Sequence, residues 1–335
     1  MFAYTITDHF GLGQLKRVER PSPEVTPGHV VVRIRAASLN YRDLLMVKGQ
    51  YNPRQPLPLV PLSDGAGEVI AVGEGVSSVR VGDRVTTVFS QKNQGGRLTR
   101  ATLGATLGGP IDGALQEMML LPETGVVPAP AHMTYEQAAT LPCAGVTAWS
   151  ALAVQGQLEP EDTVLTIGTG GVSIFALQIA KALGLRVIVT SRNAGKLERA
   201  RALGADHVID TTATPDWGKA ARTFTADGVD HVIEVGGVGT LEQSIRAVRP
   251  GGQISLIGVL AGSEKALSLT PVLMQNIRIQ GVFVGTRPNA LGLTRFCDEH
   301  RLEPAIDRTF PVSEVHEAFT LMERGEHFGK IVLTF

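Results

Sequence analysis

The chain has 335 residues, a length that suggests two domains of ordinary size. It is rich in Gly (38 residues) and in apolar residues (43%) but poor in aromatic residues (5%), which suits an α/β protein and excludes a coiled coil or a disordered chain. Lys and Arg number 31 against 32 Asp and Glu, so bulk charge predicts no nucleic-acid partner. The two cysteines, Cys143 and Cys297, exclude a disulfide framework and any zinc site made of four cysteines.

Targeting and membrane signals are not found. The first 20 residues lack the apolar core of a signal peptide. No stretch of about 18 uncharged apolar residues predicts a membrane span. We therefore expect a soluble, cytoplasmic protein with no membrane association.

The first 120 residues favour β-strands. A strand over 29–40 follows the turn Pro27-Gly28, and 66–88 contains two or three short strands separated by Gly turns. The polar, Gly-rich segment 90–113 has no periodicity and predicts a loop or lobe. Segment 134–154 predicts two helices separated by a turn near Leu141-Pro142.

Strands and helices alternate after residue 160. The sequence predicts strands over 163–168, 186–191, 206–210, 229–237, 253–259 and 276–285. The helices predicted between them cover 172–184, 194–204 and a segment that starts at 240 and is ended at Pro250. Six strands alternating with helices predict a parallel, doubly wound sheet. The remaining residues, 287–335, are mixed in character and end in the strand KIVLTF.

A glycine-rich turn joins the first of these strands to its helix. Gly168 allows a tight turn, and Gly170 and Gly171 let the backbone approach a pyrophosphate. The helix N-terminus, at Gly171 and Val172, would present N–H groups to the anion, and Ser173 is small enough for the helix to pack closely on the strand. A plain Gly-rich turn is the alternative, but the position after a strand and before a helix predicts dinucleotide binding.

The end of the second strand bears on the choice of dinucleotide. Enzymes that use NAD usually have an acidic residue there, whereas this strand ends in Thr190, Ser191 and Arg192. The small hydroxyls leave room for a 2′-phosphate, with which Arg192 and the nearby Lys196 could pair. The alternative is that both are solvated surface charges. We expect NADPH rather than NADH.

Motifs along the whole chain resemble those of the medium-chain dehydrogenase/reductase superfamily. They are SLNYRDLL (38–45), PLSDGAGEVIAVGEGVSSVRVGDRV (61–85), LPCAGVTAWSAL (141–152), GTGGVS (168–173), KLERARALGADHVID (196–210), VRPGGQISLIG (248–258) and FGKIVL (328–333). The resemblance is strongest to the zinc-independent quinone oxidoreductase and alcohol dehydrogenase-like branch. It implies an α/β protein with a GroES-like β-barrel catalytic domain (1–122 and 287–335), a Rossmann nucleotide-binding domain (123–286), and an active site in the cleft between them.

The residues at the zinc-ligand positions of this superfamily depart from its pattern. Zinc-dependent members carry a Cys where this chain has Asn40, a Gly-His-Glu element where it has Leu62-Ser63-Asp64, and a Cys that is kept as Cys143. The segment 90–113, where zinc members carry four cysteines, has none. Since zinc prefers thiolate, imidazole or carboxylate ligands, we expect neither zinc site. Cys143 is then interpreted as a small buried hydrophobic residue.

The resemblance implies catalytic candidates near the substrate. Asn40 matches a position beside the nicotinamide, where its amide could donate a hydrogen bond to a developing oxyanion. Tyr51 matches a cleft-lining Tyr that could donate a hydrogen bond or a proton, with simple packing as the alternative. Asp43 is a third candidate, and its alternative is to pair with Arg42 or to hold a turn.

The same resemblance implies further contacts with the cofactor. Thr147 matches a Thr near the nicotinamide. Gly236, Gly237 and Gly258, in the turn after Ile257, match residues that line the cofactor cleft. Lys330 matches a position close to the cofactor, with an ordinary surface lysine on a strand as the alternative.

Three functional hypotheses follow. The first is an NADPH-dependent, zinc-independent reductase of quinones, enones or related carbonyl compounds, because such acceptors need no metal to draw a hydride. The second is a zinc-free alcohol dehydrogenase that uses a proton relay. The third is a non-catalytic NADPH-binding relative with an RNA-binding or structural role. We also expect a homodimer, because the last Rossmann strand, 276–285, should be an edge that needs covering.

Overall fold

The computed structural model of the chain describes residues 1–262, 264 and 266–335 and divides into two units. Unit 1 consists of Met1–Val146 and Gly285–Phe335, and unit 2 of Thr147–Val284. The sequence-based boundaries, 122/123 and 286/287, assign residues 123–146 to the nucleotide-binding domain, whereas in the structure these residues cluster with unit 1. The cause is strand pairing, since residues 126–128 still belong to the sheet of unit 1.

The strands are β1 (Phe2–Ile6), β2 (Leu15–Glu19), β3 (His29–Leu39), β4 (Asp64–Val72), β5 (Arg84–Thr87), β6 (Met118–Pro122), β7 (Val126–Pro128), β8 (Thr163–Ile167), β9 (Arg186–Ser191), β10 (His207–Asp210), β11 (Val229–Glu234), β12 (Val248–Leu256), β13 (Arg278–Gly281), β14 (Ile306–Pro311) and β15 (Lys330–Thr334). The α-helices are α1 (Tyr41–Val47), α2 (Arg100–Leu103), α3 (Tyr135–Ala138), α4 (Val146–Trp149), α5 (Gly171–Ala182), α6 (Ala194–Ala202), α7 (Trp217–Arg222), α8 (Leu241–Ala247), α9 (Thr270–Met274), α10 (Arg287–His300) and α11 (Val315–Arg324). Two π-helical turns, Leu141–Gly145 and Ser150–Val154, flank α4.

Unit 1 is built around the long strand β3. The strand order is β14-β15-β3-β4-β5-β7, and β6 also pairs with β3. Both faces of β3 are largely buried, because its apolar residues pack into a core that includes Ile34, Leu39, Phe319 and Leu333. Since β3 runs antiparallel to both β4 and β15, its C-terminal end lies beside the first residues of those two strands.

Unit 2 is a parallel sheet with the order β10-β9-β8-β11-β12-β13. The predicted doubly wound parallel sheet is therefore confirmed. Its central strand β8 is buried along its whole length, which explains the continuous apolar run TVLTI. The edge position expected for the last strand is also observed, because β13 pairs only with β12 among the described strands.

Several elements differ from the sequence-based expectation. The helix predicted from 240 up to Pro250 already ends at Ala247, and β12 begins at once with Val248, because Pro250 disfavours helical backbone at the residue before it. The mixed segment 287–335 contains the regular helices α10 and α11. Segment 90–113 is irregular apart from the four-residue helix α2. Among the described residues, no helix combines the length and apolarity that a membrane span requires.

Candidate cofactor and active sites

The turn after β8 has the backbone geometry of a phosphate-binding loop. Gly168 has φ 73°, a left-handed conformation that favours glycine. The side chain of Ser173 donates to the carbonyl of Ile167 (2.7 Å) and so ties the first turn of α5 to the strand. A Cβ added at Gly168 or Gly170 would meet no atom within 4 Å. Open space beside two glycines at the N-terminus of a twelve-residue helix fits the phosphates of a dinucleotide.

At Gly236 and Gly258 a glycine is required for a different reason, the lack of space for a side chain. A Cβ at Gly236 would lie 2.2 Å from Thr240 Oγ1, and one at Gly258 would lie 2.5 Å from the carbonyl oxygen of Val235. The space beside both glycines is therefore filled by the protein itself. Their expected contact with the cofactor stays a prediction, while their small size is already required by packing of the loops after β11 and β12.

Sequence reasoning did not single out Glu234, which organises the loop after β11. Its buried carboxylate accepts hydrogen bonds from the backbone N–H groups of Gly236 (2.7 Å) and Gly237 (3.0 Å) and from the hydroxyls of Thr240 (2.6 Å) and Ser244. Four donors to one buried carboxylate hold the loop in a single shape. The sequence feature that could have revealed this role is an acidic residue at the end of a strand, directly before Val235 and two glycines.

The end of β9 contains the residues expected to select NADPH. Thr190 is buried, and its hydroxyl donates to the Thr166 carbonyl (3.2 Å) and accepts from Gly168 N–H (3.3 Å), so it braces the glycine loop. The Ser191 hydroxyl accepts from the Asn193 backbone N–H (3.2 Å). Arg192 is exposed, two residues before the start of α6. The positive end of that helix adds to the charge of Arg192, so an anion is favoured here.

The remaining predicted cofactor residues lie at helical positions of unit 2. Lys196 is in the first turn of α6, and its backbone N–H is capped by the Asn193 side chain (3.0 Å). Gly171 and Val172 are the first residues of α5, and both are half-buried. Thr147 is buried in α4. Their contacts with a cofactor stay predictions.

In unit 1, the strand ends bring a buried polar cluster together. The Lys330 ammonium donates to the carbonyl of Leu39 (2.7 Å) and to Oδ1 of Asn40 (2.6 Å), and it lies 3.7 Å from Oδ2 of Asp64. These residues come from the start of β15, the end of β3 and the start of β4, which the antiparallel register places side by side. Lys330 is only 2% exposed, so the alternative of a surface lysine is wrong.

Asp64 is the anionic partner within this cluster. Its carboxylate accepts hydrogen bonds from the Ser63 hydroxyl (2.7 Å), the Ser38 hydroxyl (3.3 Å) and the backbone N–H of Cys143 (3.2 Å). Desolvation, and then the charge of Asp64, raises the pKa of the Cys143 thiol, which keeps that thiol protonated.

Asp43 stabilises local structure. Its carboxylate accepts from the backbone N–H of Asn40 (2.8 Å) at the start of α1 and pairs with Arg42 (3.2 Å). The Arg42 guanidinium also donates to the carbonyls of Leu107 (3.0 Å) and Gly109 (3.1 Å), which fastens the segment 90–113. Burial raises the pKa of Asp43 to about 6, against the opposing effect of Arg42. These contacts favour the structural alternative that the sequence left open for Asp43.

Tyr51 is accessible to a ligand. The residue is 45% exposed, and the guanidinium carbon of Arg42 lies 5.0 Å from the centre of its ring. A cation at this distance from an aromatic ring is attracted to it, which restricts the ring's position. The phenol is therefore held at the surface of unit 1 and is not packed into its core.

The residues at the positions that match zinc ligands in zinc-dependent members do not fit zinc. The three matching side chains are the Asn40 amide, whose oxygen already accepts from Lys330, the Ser63 hydroxyl, which donates to Asp64, and the protonated Cys143 thiol. The Lys330 ammonium already supplies a positive charge beside Asp64. Within the part of the chain that the structure describes, no cluster of three or more His, Cys, Asp or Glu side chains suits a metal.

Comparisons with known proteins agree on the family. The model of the alcohol dehydrogenase GroES-like domain matches residues 26–131, and that of the zinc-binding dehydrogenase matches 171–299. The GroES-like fold expected for the first domain is thereby confirmed. A zinc-type alcohol dehydrogenase-like protein of Schizosaccharomyces pombe is 41% identical over 98% of this chain and 98% of its own. An acryloyl-coenzyme A reductase of Metallosphaera sedula is 29% identical over 100% of both chains.

Solved structures agree with this result. The crystal structure of an NAD-dependent alcohol dehydrogenase superposes with a TM-score of 0.92 at 34% identity, covering 100% of both chains. A mycobacterial protein solved in complex with NADPH superposes with a TM-score of 0.84 at 26% identity, again over 100% of both chains. The architecture of both units is thus one that accommodates nicotinamide cofactors in solved proteins.

Proposed function

We propose that this chain reduces quinones, enones or related carbonyl compounds with NADPH and without zinc. The chain belongs to the medium-chain dehydrogenase/reductase family and is an NAD(P)-dependent oxidoreductase of its alcohol dehydrogenase-like type. The observation that carries the proposal is the group of side chains around Asn40. At the three positions that match metal ligands of zinc-dependent members, this chain has an amide, a hydroxyl and a protonated thiol, and the Lys330 ammonium lies against the amide.

Without a metal, alcohol oxidation loses the group that would lower the pKa of the alcohol. An α,β-unsaturated carbonyl or a quinone is already electron-poor and needs stabilisation only of the negative charge that develops on its oxygen. The name of the Metallosphaera sedula relative, an acryloyl-coenzyme A reductase, describes such an acceptor for that protein. This similarity supports the enone class.

The reaction needs a hydride, a hydrogen-bond donor and a proton. NADPH, when bound, supplies the hydride. In an enone, the hydride forms a C–H bond at the β-carbon, the π electrons of the C=C bond form a new double bond between the α-carbon and the carbonyl carbon, and the π electrons of the C=O bond move onto the oxygen. The resulting enolate then takes a proton at the α-carbon, and the C=O bond re-forms. We assign Asn40 Nδ2 as donor to the enolate oxygen, and the exposed phenol of Tyr51 as the candidate proton donor.

The cofactor preference is part of the proposal. No acidic residue stands at the end of β9, and Arg192 lies beside the N-terminus of α6, which together favour a 2′-phosphate. The two structural neighbours differ in the cofactor that their names state, NAD in one and NADPH in the other. The choice of NADPH therefore depends on Arg192 and Lys196.

The test is NADPH oxidation by one enzyme preparation, followed by absorbance, with a panel of quinones and enones. Simple primary alcohols with NADP⁺ are assayed in parallel. We expect turnover with the first panel and far slower alcohol oxidation. Asn40→Ala should lower kcat about tenfold or more, because a single oxyanion donor contributes a few kcal/mol. Brisk alcohol oxidation without any quinone or enone reduction would contradict the proposal and favour a proton-relay alcohol dehydrogenase.

We also propose a homodimer formed through unit 2. Strand β13 leaves backbone groups at the sheet edge, and the nearby segment exposes Leu269, Leu273 and Met274, each at least 67% accessible. A second copy paired along β13 would cover both features. Sedimentation at micromolar concentration should show a dimer for the wild type and a monomer for Leu273→Glu; a monomeric wild type would contradict this arrangement.

A further inference from the structure

We infer that Lys330 is a positioning residue that orients the Asn40 amide, so that Nδ2 is presented to the substrate oxygen. The inference rests on the proposed function and changes the role of Lys330, which the resemblance implies to be a cofactor contact. It depends on one feature of unit 1, the buried contact between the Lys330 ammonium and the Asn40 side chain.

The chemistry of lysine decides which way the amide points. A lysine ammonium has three donors and no acceptor, whereas an asparagine amide has one oxygen and one NH₂ group. The atom of Asn40 that lies 2.6 Å from Nζ must therefore be the oxygen. Rotating the amide by half a turn would place its NH₂ group against the ammonium, which is electrostatically unfavourable. Nδ2 is consequently directed away from Lys330.

The ammonium is itself held in place. It donates to the Leu39 carbonyl at the end of β3 and lies near the Asp64 carboxylate at the start of β4. The positive charges of Lys330 and Arg42 balance the negative charges of Asp64 and Asp43, so the buried cluster is neutral as a whole. Lys330 thus has little freedom to follow a moving Asn40.

Nδ2 of Asn40 is a donor in need of an acceptor. The residue is 9% exposed, and Nδ2 is buried without a hydrogen-bond partner among the described residues. Buried donors are nearly always paired, so Nδ2 is available to an acceptor that the described chain does not supply, such as a ligand oxygen or a water molecule. Because the amide oxygen accepts from a cation, the NH₂ group is also polarised and becomes a stronger donor. Both effects suit a donor aimed at an oxygen that gains negative charge.

The test is a double-mutant comparison in the NADPH-dependent assay with the best quinone or enone. Lys330→Met should lower kcat about tenfold while the KM for NADPH changes less than about twofold. In the Asn40→Ala background the same change should cost less than about twofold, because the residue through which Lys330 acts is already gone. Lys330→Arg, which can also only donate, should recover most of kcat.

Two outcomes would overturn the inference. Equal losses of kcat in the wild-type and Asn40→Ala backgrounds would show that Lys330 does not act through Asn40. A raised KM for NADPH with unchanged kcat would return Lys330 to the role of a cofactor contact. If Lys330→Met folds poorly because Asp64 is left unpaired, Lys330→Met/Asp64→Asn removes both charges, and the same two criteria apply to it.

A readout that does not need turnover separates this inference from the proposed function. In protein labelled with ¹⁵N-asparagine, the side-chain NH₂ signals of Asn40 are those lost in Asn40→Ala. Lys330→Met should shift and broaden these signals, whereas Lys330→Arg should leave them sharp. Inactivity of the wild type toward every quinone and enone would refute the proposed function alone. Sharp, unshifted Asn40 signals in Lys330→Met would refute the positioning role alone.

Discussion

The stability of unit 2 should depend on pH through a single buried histidine. His231 lies on the inner strand β11, is 0% exposed, and its Nε2 is 2.8 Å from the Ser255 hydroxyl. Burial lowers its pKa from 6.5 to about 4, an effect that the charge of Asp230 opposes. At about 1.4 kcal/mol per pH unit, this difference corresponds to roughly 3 kcal/mol of folding free energy.

The direction in which stability changes with pH follows from proton binding. Above pH 6.5 the histidine is neutral in both states, and its contribution to stability is fully present. As the pH falls toward 4, the unfolded chain takes up a proton that the folded sheet does not accept, so stability is lost across this window. The variant His231→Gln keeps a polar side chain of similar reach but cannot titrate. Between pH 6.5 and 4 the unfolding free energy of this variant should therefore decrease less than that of the wild type, by a difference of up to about 3 kcal/mol.

Urea unfolding followed by tryptophan fluorescence suits this measurement, because both tryptophans, Trp149 and Trp217, lie in unit 2. The quantity to compare is the slope of unfolding free energy against pH, not the stability at one pH. His207→Gln, at an exposed position on β10 in the same sheet, is the matched control and should keep the wild-type slope. Identical slopes for the wild type and His231→Gln would refute the reasoning.

Three further predictions concern the proposed chemistry. NADPH should bind at least about tenfold better than NADH, because a charge-assisted contact with phosphate contributes about 1.5–3 kcal/mol. Arg192→Ala should remove most of this preference. Equal affinities of the wild type for the two cofactors, measured by fluorescence titration, would count against this prediction. Elemental analysis of purified protein should find no stoichiometric zinc, and chelators should leave activity unchanged; about one zinc per chain would contradict the proposal. Tyr51→Phe should lower kcat as much as Asn40→Ala if the phenol supplies the proton, and a change below about twofold would exclude this role.

Regular periodicity made most of unit 2 predictable. The alternation of apolar strands and capped helices after residue 160 indicated the parallel sheet, and the glycines from 168 onward indicated the tight turn between β8 and α5. These signals are local, because each strand and its helix lie close together in sequence. The boundary near residue 122 was harder to place, since whether 126–128 pairs with β5 depends on residues some 40 positions away.

The polar cluster of unit 1 could be predicted only in part. Asn40 and Lys330 were each singled out, but their contact joins residues 290 positions apart, and no local pattern reports such a pairing. Lys330 at the start of a strand gives the same sequence signal whether its ammonium faces solvent or a buried carboxylate. Glu234 was missed for a related reason, since its role depends on four donors that converge only after the loop has folded.

Gly236, whose side-chain space is filled by the protein, and Gly170, whose side-chain space is open, should behave differently in a genetic screen. At Gly236 the protein fills the space where a side chain would go, so a substitution there should already appear as lost expression or solubility. At Gly170 the space is open and φ is −79°, so alanine is compatible with the folded chain. If the cofactor lies against this loop, as proposed, selection at Gly170 then acts through the ligand alone. A library sorted only for well-folded protein would accept replacements at Gly170, and only a second sort for cofactor binding would remove them.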